Sequence, residues 1–519
     1  MKEQSLMTST LILTATSFFT RTISMISLVF LSNLLGASGI GIYELIMSVY
    51  TTAVAFSSAG ISVSISKLVA EELGKRCFES VLKVMFTAFI FALIISSLVS
   101  SLLFIFSPFL CNSIIHDPNA TIGLRILSLS IPLISLSSCF KGYFYATKKT
   151  LYPASADVLE QCTKVTLILT LVSLYLPKGN NYGYAAIGIG LTLGEAVSFT
   201  FLLGLFISES RKRIHNTKYS PLLSRFSCSF ILKLLTVLIP IASISYISYL
   251  FMCIENTLIP SGLKKFGTSL EDSMAMYGVL KGMVFPILFF PSAFLTAFST
   301  TLVPEIARAN VLMLKERVTT TTNRVLQLTL ILSILVVSIF LNYSDEIGIV
   351  IYNNTAVGPM LSILCLIVPF VYVEVVTDGI LKGLGQQLSC LKYSMIDAIC
   401  RIILIYTLLP FKGMTAFIGI MVLSCVLSST LNFTTLRGLI PIKFNFSNWF
   451  FKPILAGTGA GYFSRVILRI YDGISLSLKS KLILEIILSI VIYIVILWII
   501  ECFSKEDVRW LKKHLPFIR

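Results

Sequence analysis

The sequence contains one apolar stretch in two versions, LRILSLSIP at residues 124–132 and LSILCLIVP at residues 361–369. The copies are 237 residues apart (361 minus 124), and their alignment continues without a gap, so that Gly142 meets Gly379. Internal repeats of this length are typical of membrane transporters, in which each copy forms one half of the molecule. We therefore expect two homologous halves, each built around one copy of the stretch.

The same offset repeats a pair of charges. Glu160 and Lys164 in the first copy correspond to Asp397 and Arg401 in the second. Side chains four residues apart share a helix face, so each acid can contact the base that follows it. We interpret these two pairs, together with Asp378, as structural or coupling charges inside a helix bundle.

The composition of the chain is that of a membrane protein. Of the 519 residues, 56% are hydrophobic and only 13% are charged, whereas soluble domains carry about 25% charged residues. A soluble multidomain enzyme and a disordered chain are therefore excluded. The net charge of +16 is interpreted as basic residues in cytoplasmic loops rather than as a nucleic-acid surface. The eleven cysteines contain no C-x-x-C pair and are interpreted as small buried hydrophobes.

Fourteen segments are apolar over about 20 residues, the length that a helix needs to cross a bilayer. Six spans separate the two copies, so both halves have the same orientation, which implies a pseudo-two-fold axis along the membrane normal and a substrate path between the halves. The predicted fold class is an all-α polytopic membrane protein with two parallel six-helix repeats plus an appended helix pair. The approximate spans are 8–31, 40–65, 83–107, 123–146, 154–176, 182–207, 232–256, 273–302, 325–342, 358–381, 391–410, 413–436, 450–470 and 482–503.

The distribution of Lys and Arg predicts the topology. One set of alternating loops holds roughly three times as many basic residues as the other, and we assign that set to the cytoplasm together with both termini. The predicted organisation is an N-lobe at 1–208, a cytoplasmic linker at 209–231, a C-lobe at 232–437, an appended pair of spans at 438–503 and a basic cytoplasmic tail at 504–519.

Motifs for catalysis and for cofactor binding are missing from the sequence. It has no P-loop, no H-E-x-x-H, no G-x-S-x-G and only three scattered histidines, so we expect no enzyme activity, no catalytic residue, no metal and no cofactor. Since the loops leave no room for a nucleotide-binding domain, the energy source is expected to be an ion gradient, the membrane potential or the gradient of the substrate itself.

Ten ionisable side chains lie at bilayer depth, where an unpaired charge costs about 2.5–3.5 kcal/mol. Arg21 has no acid three or four residues away, so it needs a partner on another helix or an anionic ligand. Glu195 and Glu374 lack a local base and are candidates for proton coupling. Glu255 and Lys281 lie near the outer ends of their spans and are expected to be solvated or to pair with each other. We predict that these five residues line a substrate-binding cavity.

The N-terminal stretch within residues 20–71 resembles the stage V sporulation protein B-like family of the multidrug/oligosaccharidyl-lipid/polysaccharide exporter superfamily. The resemblance rests on TRTISMISLVFLSNLLG at 20–36, GIGIY at 39–43 and GISVSISKLVAE at 60–71. It implies a flippase that moves undecaprenyl-linked glycan precursors, lipid II among them, across the cytoplasmic membrane for spore-cortex or cell-wall peptidoglycan. The implied partners are the lipid-linked oligosaccharide, membrane lipids and a candidate coupling ion, without nucleic acid, and the chain is expected to be a monomer.

The sequence is also similar to lipid II flippases. Their first-span arginine is matched by Arg21, but Ser27 and Leu28 stand where they have a second basic residue. In those relatives the last two helices extend a groove for the lipid tail, a role that spans 13 and 14 would fit because their charges, such as Glu485, cluster near the ends. The alternative is a multidrug exporter of the same superfamily, coupled to Na⁺ or H⁺.

Overall fold

The computed structural model describes residues 6–75, 78–214, 228–442, 444–470 and 477–502. The predicted basic tail at 504–519 and most of the predicted linker at 209–231 lie outside these residues. The described residues form α-helices joined by short turns, with no strand among them. The helices are α1 Leu6–Ser58, α2 Ile61–Gly74, α3 Phe78–Leu110, α4 Ala120–Ser128, α5 Ser130–Ala146, α6 Leu151–Tyr175, α7 Asn180–Ile214, α8 Cys228–Phe266, α9 Leu270–Gly278, α10 Phe285–Phe289, α11 Ser292–Val311, α12 Lys315–Tyr352, α13 Val357–Leu364, α14 Val368–Gly383, α15 Gln387–Leu439, α16 Lys452–Ile470 and α17 Leu478–Ile499.

The predicted class of an all-α polytopic membrane protein is confirmed. Eleven segments of the described chain are long and apolar enough to cross a membrane. Two of these segments, which contain α1 and α15, each hold two predicted spans. In both segments the helix is interrupted at a glycine with positive φ, which is Gly36 (φ 70°) in α1 and Gly413 (φ 58°) in α15. Glycine suits these positions because a Cβ disfavours positive φ. The exact number of fourteen spans stays a prediction.

The 237-residue repeat is visible in the backbone as well as in the sequence. The α4 helix begins at Ala120 and α13 at Val357, which are 237 residues apart. Both are preceded by a residue in the left-handed region, His116 (φ 57°) and Asn353 (φ 49°), again at the same offset. Local backbone conformation is therefore repeated along with the apolar pattern.

The described residues divide into two compact units. The first contains the residues up to 264 and the short segment 268–278, and the second contains residues 265–267 and those from 279 onward. Most of α8 lies in the first unit, whereas the sequence suggested that this helix begins the C-lobe. The predicted lobe boundaries themselves remain a prediction.

Close helix packing in the first unit depends on glycine pairs. The α1 and α9 helices cross at Gly41 and Gly278, where a Cβ on either residue would collide with a backbone carbonyl of the other helix, that of Met274 or Ala37 respectively. The 237-residue offset relates Gly41 to Gly278, and it also relates Ala37 to Met274. The contact is thus reciprocal, as at a two-fold axis, and the repeat accounts for it.

Candidate functional site

Arg21 lies on an exposed polar face of α1. Ser17, Arg21 and Ser24 are spaced by four and three residues, so they share one helix face, and all three are exposed. Arg21 is 15 residues beyond the first residue of α1, a rise of about 22 Å along the helix. Within the described part of the chain, no carboxylate lies within ion-pair distance of its guanidinium. The guanidinium therefore remains open to a ligand.

The first unit contains a dense ion cluster around Lys164, on α6 and α7. The Lys164 Nζ lies 2.7 Å from Glu160 Oε1 on its own helix and 2.6 Å from Glu195 Oε1 on α7. The three side chains are 10–15% exposed. The predicted contact between Glu160 and Lys164 is present, and Glu195, which has no local base in the sequence, is neutralised by the same lysine from the neighbouring helix.

Two further members of this cluster were missed by the sequence interpretation. Lys141 on α5 places its Nζ 2.6 Å from Asp157 Oδ1 and 4.0 Å from Glu160 Oε2. Both residues could have been found from the sequence. Lys141 falls inside the predicted span 123–146, and Asp157 precedes Glu160 by three residues on the same helix face. With two lysines and three carboxylates (two minus three), the cluster has a formal charge of −1.

The corresponding cluster of the second unit is built differently. Arg401 Nη1 lies 3.2 Å from Asp397 Oδ2 and donates to Ser424 Oγ at 3.2 Å. The Ser424 hydroxyl in turn donates to Asp397 Oδ1 at 2.5 Å. The predicted pair of Asp397 and Arg401 is therefore in contact, and a serine on the second half of α15 closes the triangle.

The other acids of the second unit lie on α14. Glu374 accepts a hydrogen bond from the Ser428 hydroxyl of α15. Asp378 pairs with Lys382 at 2.6 Å near the end of α14, where Lys382 is about half exposed. Glu374 is thus held by a neutral hydroxyl donor, whereas each acid of the Lys164 cluster is in contact with a lysine.

The remaining predicted cavity residues lie elsewhere. Glu255 is a buried residue of α8. Lys281 lies in a π-helical turn, Val279–Val284, and its Nζ is 5.2 Å from the ring centre of Phe285. Glu44, a half-buried acid of α1, was missed although it falls inside the predicted span 40–65. The pairing of Glu255 with Lys281 stays a prediction.

The appended helices pack tightly on α12. The Ser338 hydroxyl donates to the Gly457 carbonyl at 2.6 Å, and the Tyr343 hydroxyl lies 2.5 Å from Ser464 Oγ. Gly457 allows this approach, since a Cβ there would lie 3.1 Å from Ser338 Cβ. One expectation is corrected: Glu485 is not an end charge but a buried residue of α17, because this helix begins at Leu478.

The fold is similar to those of solved membrane transporters. The chain is similar to the solved structure of the lipid II flippase MurJ in an inward closed conformation, with a TM-score of 0.65 and 16% identity, and the match covers 94% of this chain and 98% of the flippase. It is also similar to the inward-facing conformation of a multidrug resistance MATE family transporter, with a TM-score of 0.63 and 15% identity, over 81% of this chain and 95% of that transporter.

Sequence comparisons also find similar proteins. The family model described as polysaccharide biosynthesis protein matches residues 6–260. The chain is 23% identical over 513 residues to stage V sporulation protein B of Bacillus subtilis (strain 168), with 98% of each chain covered. The resemblance predicted from the N-terminal stretches is confirmed, and the comparisons support a membrane flippase or exporter rather than an enzyme.

Proposed function

We propose that this chain flips undecaprenyl-linked glycan precursors, with lipid II as the first candidate, across the cytoplasmic membrane by alternating access in spore-cortex or cell-wall biogenesis. Support comes from the similarity to stage V sporulation protein B and to a lipid II flippase fold. In this proposal the protein is a monomer. Both termini lie in the cytoplasm, as the excess of basic residues in one set of loops predicts.

The observation that carries the proposal is the exposed polar face of α1 around Arg21. A charge at this depth is costly in hydrocarbon, so an exposed arginine on a membrane helix is best explained by a water-filled path that it lines. A guanidinium binds phosphate oxygens through two parallel hydrogen bonds. In the proposed function Arg21 contacts the pyrophosphate of the substrate, and Lys281 and Glu255 are further candidates for substrate binding.

A specific observation favours a flippase over a multidrug exporter. The flippase structure matches 94% of this chain, whereas the multidrug transporter matches 81% although nearly all of that transporter is covered. The extra length of this chain therefore has a counterpart in the flippase fold. The multidrug exporter remains the second candidate, and a cationic drug would be repelled by Arg21.

We assign the lipid tail to the outer face of α16 and α17 in this proposal. The inner face of α16 is occupied by α12 through Ser338 and Tyr343. The outer face remains apolar and exposed, and such a surface binds a polyprenyl chain by dispersion rather than by polar recognition. Its exposed residues are Phe451, Leu455, Tyr462, Phe463, Ile483, Ile487 and Trp498.

For ion coupling, Glu374 is the better of the two acids named from the sequence. Glu195 is neutralised by Lys164 at 2.6 Å, so protonating it would break an ion pair. Glu374 accepts from the uncharged Ser428 hydroxyl and can gain a proton without losing a cation. Coupling at Glu374 would draw on an ion gradient or the membrane potential rather than on the gradient of the substrate itself.

The experiment is depletion of the protein in its own cell, followed by complementation and measurement of lipid-linked precursors. Depletion should cause precursors to accumulate, and the wild-type chain should reverse this. Arg21→Ala should fail to reverse it, since a charge-assisted hydrogen bond contributes about 1.5–3 kcal/mol, and Arg21→Lys should reverse it in part. Lys178→Ala, which removes an exposed cation near Tyr175, is the matched control and should behave as wild type. Full complementation by Arg21→Ala would reject the role.

A further inference from the structure

The second half of α15 carries a row of buried polar side chains. Ser424, Ser428 and Asn432 follow one another at intervals of four residues, and all three are buried. Residues at this spacing lie on one helix face, about 6 Å apart along the axis. Thr435 continues the row toward the end of the helix where Arg437 lies.

Each position of this row except one meets a polar partner on a neighbouring segment. Ser424 donates to Asp397 at 2.5 Å, and Ser428 donates to Glu374. The hydroxyls of Thr435 and Tyr393 are 2.7 Å apart. Polar groups thus follow the helix from Ser424 to Thr435, a distance of about 16 Å, or about half of the hydrocarbon core.

The exception is Asn432, whose Oδ1 is buried and has no hydrogen-bond partner in the part of the chain that the structure describes. An unsatisfied buried acceptor destabilises the protein by about 1–3 kcal/mol. This cost is offset if a hydrogen-bond donor reaches Asn432 Oδ1 in another state of the protein. Asn432 lies one turn beyond Ser428, the partner of Glu374. Ionised Glu374 offers no donor, whereas protonated Glu374 has an O–H that can donate a hydrogen bond.

The first two positions of the row differ between the two halves of the repeat. At the 237-residue offset, Ser424 and Ser428 correspond to Ile187 and Leu191 in the first unit. Asn432 corresponds to Glu195, which is engaged by Lys164. The homologous helix is therefore apolar at the first two positions of the row and carries Glu195 and Ser198 at the last two, so the hydroxyls of Ser424 and Ser428 are specific to the second unit.

We propose that this face of α15 is a proton route between Glu374 and the membrane surface at which Lys382 and Arg437 lie. One proton leaves water at that surface, passes Tyr393, Thr435 and Asn432 through intervening water, and binds the Glu374 carboxylate. The carboxyl O–H then donates to Asn432 Oδ1. The reverse transfer returns the carboxylate to its hydrogen bond with Ser428.

The charges around Glu374 favour a proton over a metal cation. Asp378 lies one turn beyond Glu374 on α14, and Asp397 accepts a hydrogen bond from Ser424, one turn before Ser428 on α15. Arg401 is the facing cation, and its guanidinium already fills the position between Asp397 and Ser424. A proton and a sodium ion each add one positive charge, but the proton binds covalently to a Glu374 oxygen, whereas a sodium ion would need several oxygen ligands in the space beside the Arg401 guanidinium.

The test follows the infrared carbonyl band of a protonated carboxyl in the full-length protein in vesicles after rapid acidification. Glu374→Gln should remove one such band. Thr435→Val and Tyr393→Phe, which each remove one hydroxyl, should slow its rise roughly tenfold, the effect of about 1.4 kcal/mol on a barrier. Thr430→Val is the matched control, because Thr430 is exposed on α15 and bonds its own helix, and it should leave the rate unchanged.

Three results would overturn this proposal. They are persistence of the band in Glu374→Gln, an unchanged rate in both Thr435→Val and Tyr393→Phe, and a response of the band to exchange of sodium for potassium at constant pH. The proton route depends on the proposed function in one respect only, namely that proton transfer would be used to drive flipping. Because no lipid substrate is present, failure to flip lipid II would leave this outcome unaffected, and the two claims fail separately.

Discussion

The two ion clusters occupy equivalent repeat positions but satisfy their charges in different ways. In the first unit, Lys164 bridges Glu160 and Glu195 with contacts of 2.6–2.7 Å. In the second unit, Arg401 holds Asp397 at 3.2 Å, and Asn432 stands at the position of Glu195. Glu374, which accepts from the Ser428 hydroxyl, lies at the position of Ser137 in the first unit.

This difference separates a fixed cluster from one that can change state. Every acid described in the Lys164 cluster contacts a lysine, so a change of protonation there breaks an ion pair. In the second unit, serine hydroxyls can donate or accept, and Asn432 retains an open acceptor. We infer that the first unit uses its charges to hold helices together, while the second uses them to bind and release a proton.

The largest effect is expected for Lys164→Met. This change leaves Glu160 and Glu195 buried without their shared cation, and breaking a buried pair costs about 3–5 kcal/mol. We expect a large drop in the thermal unfolding midpoint of the detergent-purified protein. An unchanged midpoint would contradict the structural role, and recovery in Lys164→Met with Glu195→Gln would support it.

A smaller loss is expected for Arg401→Met. Asp397 keeps its hydrogen bond from Ser424, so the loss should be about 1–3 kcal/mol, below that of Lys164→Met in the same unfolding assay. Adding Asp397→Asn should restore most of the stability. If Arg401→Met lowered the unfolding midpoint more than Lys164→Met, the contrast between the two clusters would be wrong.

The repeated glycines give a third comparison. A Cβ on Gly142 would lie 2.6 Å from the backbone carbonyl oxygen of Ser62, whereas one on Gly379 would meet the side-chain hydroxyl of Ser299. The Ser62 backbone cannot move aside as easily as the Ser299 hydroxyl. Gly142→Ala should therefore lower the free energy of unfolding by about 1–3 kcal/mol, and Gly379→Ala should lower it by less. Ser299→Ala should rescue Gly379→Ala, while no gain from that second change would refute the steric explanation.

The smallest effect is expected for Lys83→Thr. Lys83 and Glu79 form an exposed pair at 3.0 Å, and the equivalent residues of the second unit are Thr320 and Glu316. Because surface pairs contribute about 0–1 kcal/mol, the unfolding midpoint should hardly move. A loss as large as that of Lys164→Met would show that the assay does not distinguish buried from exposed pairs.

The sequence predicted the elements whose signal is local. Apolar runs of about 20 residues located the helices, and the offset located the charge pairs, since four-residue spacing is read along one helix. Contacts between helices were not accessible in this way. Lys141 reaches Asp157 only because α5 packs beside α6, and Glu195 receives Lys164 from another helix.

The burial of Glu485 was missed for a related reason. Its distance from the end of an apolar run suggested an end charge, but helix boundaries inferred from sequence are uncertain by a few residues. In the structure α17 begins at Leu478, which places Glu485 inside the helix. The role of Arg21 stays a prediction, which rests on the argument that an isolated charge in an apolar run requires a partner wherever the run is placed.

The most direct measurement of the central claim is flipping of fluorescently labelled lipid II by the purified chain in vesicles, read by a quencher that cannot cross the membrane. The wild-type chain and Lys178→Ala should expose label from the inner leaflet, while Arg21→Ala should remain at the level of protein-free vesicles. Lipid II flipping by Arg21→Ala at the wild-type rate, or no flipping by the wild-type chain, would contradict the account.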